Sequence, residues 1–166
     1  MTILGISIGT TRTGVCVIKD DVLLDRHIHS YLQPWSNTKL RIITNRYKQH
    51  IVEHNVSAII VKIPPLKKHT KPITLIIKRL EKLAKKYNCE FDLITKREMK
   101  DRTGIHSTDE LIRYAELCHP ELEAMFEKSV ATDHLYFKKL YEAIVVAHIF
   151  QKRLQLKAQQ MASTTE

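Results

Sequence analysis

Cysteine is scarce in this sequence, and what there is lies scattered. Cys16, Cys89 and Cys118 match neither a zinc nor a redox spacing. That argues against a disulfide-framed secreted scaffold and fits small buried hydrophobes in a reducing compartment. Long apolar runs are also missing, so no bilayer-crossing helix is expected. Met1-Thr2-Ile3-Leu4 carries no basic region, so no secretory signal is read and a cytoplasmic location is expected. Internal repeats and linkers are absent. The 166 residues therefore suit one domain, large enough to bury a core, spanning 1–156, with a Gln-, Ser- and Thr-rich tail at 157–166 that is expected to fray.

Acidic residues are in deficit. Eighteen Asp and Glu face 27 Lys and Arg, giving a net charge of +9. Such an excess favours a polyanionic partner, because each phosphate contact releases condensed counterions. A merely solubilising surface would have the same composition, so the charge needs local support.

The pattern of what remains is α/β. Ile3 to Ile8, Val15 to Ile18 and Val22 to Ser30 read as three strands joined by short turns, Gly9 to Gly14 and Asp20-Asp21. Short turns imply antiparallel pairing. Leu40, Ile43, Tyr47 and Ile51 recur at helical spacing, and Ser57 to Val61 is a continuous apolar strand. Pro64-Pro65 and a basic loop through Lys71 precede an amphipathic helix carrying Ile73, Ile76, Leu80, Leu83 and Tyr87. Phe91, Leu93 and Ile94 give a fifth strand. Ser107 to Glu110 has the form of a capping box, Pro120 opens a short helix, and Thr132 or Asp133 could cap a last long helix. Hairpin strands followed by crossover helices predict a mixed five-stranded sheet with helices on both faces.

Three segments carry a resemblance. Ile3-Leu4-Gly5-Ile6-Ser7-Ile8-Gly9-Thr10-Thr11-Arg12-Thr13-Gly14-Val15 resembles the opening of RuvC-type Holliday-junction resolvases. Lys96 to Gly104 is similar to that family's short basic segment after the fifth strand. Glu142-Ala143-Ile144-Val145-Val146-Ala147-His148 is similar to its last helix. The resemblance implies a ribonuclease-H-like α/β fold, branched DNA as partner and, by resemblance alone, a homodimer active in DNA recombination and repair.

It also implies two magnesium ions held by four carboxylates, since hard cations take oxygen ligands and paired ions stabilise both oxygens of an in-line displacement. Those four positions fall here at Ser7, Lys62, Lys139 and Glu142, and only the last is a carboxylate. The expectation is a catalytically degenerate homologue with no intact catalytic or metal site and no cofactor. Lys62 and Lys139 either have drifted to a solvated rim or pair with Glu142. Arg12, Lys67, Lys68, Lys71, Arg97, Lys100 and Arg102, with Lys96, would converge at one sheet edge as a nucleic-acid surface. Lys78, Lys82, Lys85 and Lys86 read as a solvated helix back.

Two alternatives stay open: a diverged magnesium-dependent endonuclease using Glu142 and another acid, and a protein-interaction scaffold. The Gly9 turn is also similar to the phosphate loop of sugar-kinase and actin-like ATPases, which need far more chain. Asp20, Asp21, Asp25 and Asp133 are best explained by turns and caps. His27 and His29 share a strand face without a third ligand at a telling spacing, and so read as a surface pair.

Overall fold

The structure, a computed structural model, describes residues 1–124 and 134–165. Its elements are β1 (Thr2–Ser7), β2 (Arg12–Lys19), β3 (Val22–Ser30), α1 (Asn37–Glu53), β4 (Ala58–Ile63), α2 (Lys71–Lys86), β5 (Glu90–Thr95), α3 (Lys96–Thr103), α4 (Thr108–Cys118) and α5 (His134–Ser163). Short 3₁₀ turns cover Leu66–Lys68 and Pro120–Leu122. The proposed caps Thr132 and Asp133 lie outside the described residues.

The sheet order is β3-β2-β1-β4-β5. The β1–β2 and β2–β3 pairs are antiparallel, while β1–β4 and β4–β5 are parallel. This is the expected mixed sheet. Asp20 and Asp21 turn β2 into β3 with φ of 49° and 68°, the left-handed pair that a tight two-residue hairpin demands.

Strand alternation sorts the core into two layers. Leu4, Ile6, Val15, Val17, Ile59 and Val61 face α1 and α2, whereas Ile3, Cys16, Ile18, Ala58 and Ile60 face α4 and α5. Helix α5 runs directly over β1 and β2, and glycine makes this possible. A Cβ on Gly5 would overlap the Ala143 carbonyl, and one on Gly14 would overlap the Lys139 backbone. The glycines therefore set how deeply the last helix sits, and with it the position of Glu142.

Two elements differ from expectation. The basic segment Lys96 to Gly104 is mostly a helix, α3. The Thr95 hydroxyl accepts from the Glu98 amide at 3.2 Å, and Gly104 ends the helix at φ 71° with its amide donating to Lys100 O. The tail after Leu156 is helical to Ser163 yet exposed throughout, consistent with its Lys, Ala, Gln and Met content. Among the described residues, no helix is long and apolar enough to cross a membrane.

Candidate functional site

Strands β1 and β4 end side by side, with Ser7 and Lys62 in register. Parallel neighbours in register point to the same side of the sheet, and here that side is the one covered by α5. Helix α5 delivers Lys139 and Glu142 one turn apart, on one face.

Lys62 and Ser7 meet the Glu142 carboxylate directly, while Lys139 turns its ammonium to the backbone at the end of β1. Lys62 Nζ lies 2.7 Å from Glu142 Oε2. The Ser7 hydroxyl donates to Glu142 Oε1 at 3.4 Å. Ser7 is fully buried and Glu142 is 4% exposed, so the carboxylate is removed from water and has a matched cation. Lys139 Nζ donates to the Ile8 carbonyl at 2.9 Å, closing the end of β1. Burial pushes the Lys139 ammonium below its ordinary range. Glu142 pulls it back up, while Lys62, Lys138 and Arg12 depress it further. The loop above is braced in turn, since Thr13 Oγ1 donates to Gly9 O at 3.1 Å and Tyr47 donates to Thr13 at 3.3 Å.

More cations surround this centre. Lys96 is held below its ordinary range first by the charge of Lys138, then by burial, Lys100 and Lys62. Helix α3 places Lys96 and Lys100 four residues apart on one side of a cavity of about 150 Å³, which is also lined by His106, Ser107, Lys138 and Glu142. The electrostatic result is a positive recess floored by one neutralised carboxylate.

The residues do not fit a pair of magnesium ions. Hard divalent cations need several oxygen ligands, and among the described residues the four matched positions offer one carboxylate, which is paired with an ammonium at 2.7 Å. Lys139 and Lys62 would both repel a metal placed between them.

The surface residues divide. Lys100 and Arg12 belong to the cationic centre. Lys67, Lys68 and Lys71 are exposed just beyond the end of β4, on the same end of the sheet, and Arg97 is exposed on the first turn of α3. Arg102 does not join the others. It lines a separate groove with Tyr114, Lys152 and Arg153, because residue 102 lies on a different face of α3 from Lys96 and Lys100. Lys138 belongs to the centre and went unrecognised in the sequence, although it immediately precedes a position already matched to the family.

Asp20 and Asp21 are turn residues, as expected. Asp25 is not. Its carboxylate lies among His27, His50 and His54, so the strand-face histidines do have further ligand-type neighbours, supplied by α1. His148 is buried and pairs with His119, Nε2 to Nε2 at 2.6 Å. Burial, and then His119, drive it down to about 4.

No family model and no curated protein matches the sequence. Solved structures do match. Thermus thermophilus RuvC in complex with a Holliday junction substrate superposes with a TM-score of 0.71 at 16% identity, covering 93% of this chain and 96% of that one. A second Thermus thermophilus RuvC structure gives 0.69 at 14% identity, covering 93% and 97%. Over nearly its whole length, then, this chain has the ribonuclease-H-like fold of RuvC resolvases.

Proposed function

We propose that the protein binds branched or otherwise structured nucleic acid at the cationic end of its sheet and does not cut it by a two-metal route. The observation that carries this reading is the 2.7 Å ion pair between Lys62 and Glu142. An ammonium stands where the resemblance calls for a metal ligand, and it is matched to the last remaining carboxylate. Lys96, Lys100, Lys138 and Lys139 leave the recess positive even after that pairing. Such a recess takes phosphate oxygens as point-charge partners and gives affinity without reading bases. The RuvC structure with a bound junction supports the reading at the level of the fold. A reducing cytoplasm suits the three free thiols.

The test is a pair of charge reversals read by titration with a four-way DNA junction. Lys67→Glu with Lys68→Glu removes cations beside the proposed site. Lys85→Glu with Lys86→Glu makes the same change in net charge on the exposed back of α2. The first pair is expected to weaken binding by about tenfold or more at 50 mM salt, for all sequences alike, and to flatten the salt dependence. Equal losses from both pairs would reduce the effect to bulk charge and favour the scaffold reading.

A further inference from the structure

A second polar cluster lies on the opposite face of the sheet, where edge strand β3 meets α1. A bulge in β3 creates it. Ile18 pairs with Leu23 and Val17 with Asp25, so Leu24 is an extra residue that reverses the alternation. Leu23 and Ile28 consequently pack towards the α5 layer. Asp25, His27 and His29 stand opposite Val17, Val15 and Thr13, on the α1 side. Helix α1 answers with His50 and His54, four residues apart and so on one face.

The groups converge on one carboxylate. His54 Nε2 is 3.0 Å from Asp25 Oδ2, and His50 Nδ1 is 3.8 Å from the same oxygen. His27 Nε2 lies 2.7 Å from the other oxygen, Oδ1. One ligand atom from each of Asp25, His50 and His54 lies within 4.8 Å of the other two.

His50 is the telling member. It is 5% exposed, yet among the described residues its Nδ1 has no hydrogen-bond partner. Its Nε2 lies 2.9 Å from His29 Nε2, a contact in which one ring donates and the other accepts. With His29 accepting, His50 carries its proton on Nε2 and turns a bare Nδ1 lone pair towards Asp25. With the roles reversed, the Nδ1 proton is still too far from Oδ2 to make a hydrogen bond. Either way a buried nitrogen and a carboxylate oxygen face each other across a gap that an intervening cation spans at metal–ligand distances of about 2.0–2.2 Å.

We propose that Asp25, His50 and His54 bind a borderline divalent transition-metal ion of the zinc class, with His29 orienting His50 and His27 orienting the carboxylate. Two imidazoles and one carboxylate are a donor set for zinc, cobalt or nickel, whereas magnesium and calcium take oxygen. Neutral imidazole ligands held through their second nitrogen are the usual second layer of such sites. The side chains of Asp25 and His54 are about a quarter and a fifth exposed, so the ion has a route in and room for a water. The consequence is mechanical: a bound ion ties edge strand β3 to α1.

The test uses the full chain, stripped with a chelator and titrated with zinc alone by calorimetry. Cobalt, whose visible spectrum reports nitrogen and oxygen ligands, serves as a second probe. The expected result is one saturable zinc site, a cobalt spectrum with ligand-field bands, and a thermal midpoint that zinc raises and magnesium does not. His54→Ala, at a partly exposed position, and Asp25→Asn should each abolish the site. His29→Gln should weaken it by about tenfold. His106→Ala, an exposed histidine outside the cluster, should leave it intact. Absence of saturable zinc binding in the wild-type chain overturns the assignment, as does binding unchanged by both His54→Ala and Asp25→Asn. Circular dichroism on each variant separates loss of ligand from loss of fold.

Discussion

The two faces of this sheet each hold a polar cluster built around one carboxylate, and they surround it with different partners. Behind α5, Glu142 meets the ammonium of Lys62 at 2.7 Å and the hydroxyl of Ser7. Behind α1, Asp25 meets the imidazoles of His27, His50 and His54. Lysine brings its own permanent charge, so the first cluster is complete as it stands. Histidine can be neutral and offer lone pairs, so the second has capacity left over, visible in the Nδ1 of buried His50, which has no hydrogen-bond partner among the described residues. A carboxylate is closed to a metal by an ammonium partner on one face and prepared for a metal by imidazoles on the other.

The sharpest way to break that contrast is to remove the lysine. Lys62→Ala leaves the Glu142 carboxylate buried without its matched cation, and it should cost about 3 kcal/mol in denaturant unfolding. Replacing both partners, Lys62→Met with Glu142→Leu, should recover most of the loss, because two well-packed apolar groups need no compensation. A Lys62→Ala variant as stable as the wild type would mean that the pair does not close the site.

A smaller effect should distinguish imidazole from ammonium elsewhere in the same core. His148 titrates at about 4 in the folded chain against an ordinary 6.5, and burial lowers its partner His119 in the same direction. The unfolded chain therefore takes up these protons first. The contribution is complete above pH 6.5 and drains away as pH falls towards about 4, by an amount of order 3 kcal/mol. Unfolding curves across that window should be flatter for His148→Phe than for the wild type. Parallel pH profiles would show that the histidine pair is not what responds to acid.

Much of the fold was legible because its signals are local. The Asp20-Asp21 turn, the apolar run of β4 and the amphipathic face of α2 each sit within a few residues. Helix α3 was legible in principle, since Thr95 and Glu98 have capping-box spacing, but its basic composition masked it. The grouping of Ser7, Lys62, Lys139 and Glu142 could be placed only through the resemblance, because those residues are brought together by sheet register and by glycines under α5. The Asp25 cluster escaped for a related reason. His50 and His54 lie on another element, and the inserted Leu24 hides the face on which Asp25 stands. A period-two reading continues straight through a bulge and assigns the wrong side.

The central claim is that the Glu142 centre holds phosphate without carrying out hydrolysis, and one measurement addresses it directly. A labelled four-way junction is incubated with purified full chain and magnesium or manganese at low salt, and the same samples are run on native and denaturing gels. The account predicts a retarded complex on the first, lost steeply as salt is raised, and intact strands on the second. Cleaved strands that disappear with Glu142→Gln would contradict it and make the diverged nuclease the better description.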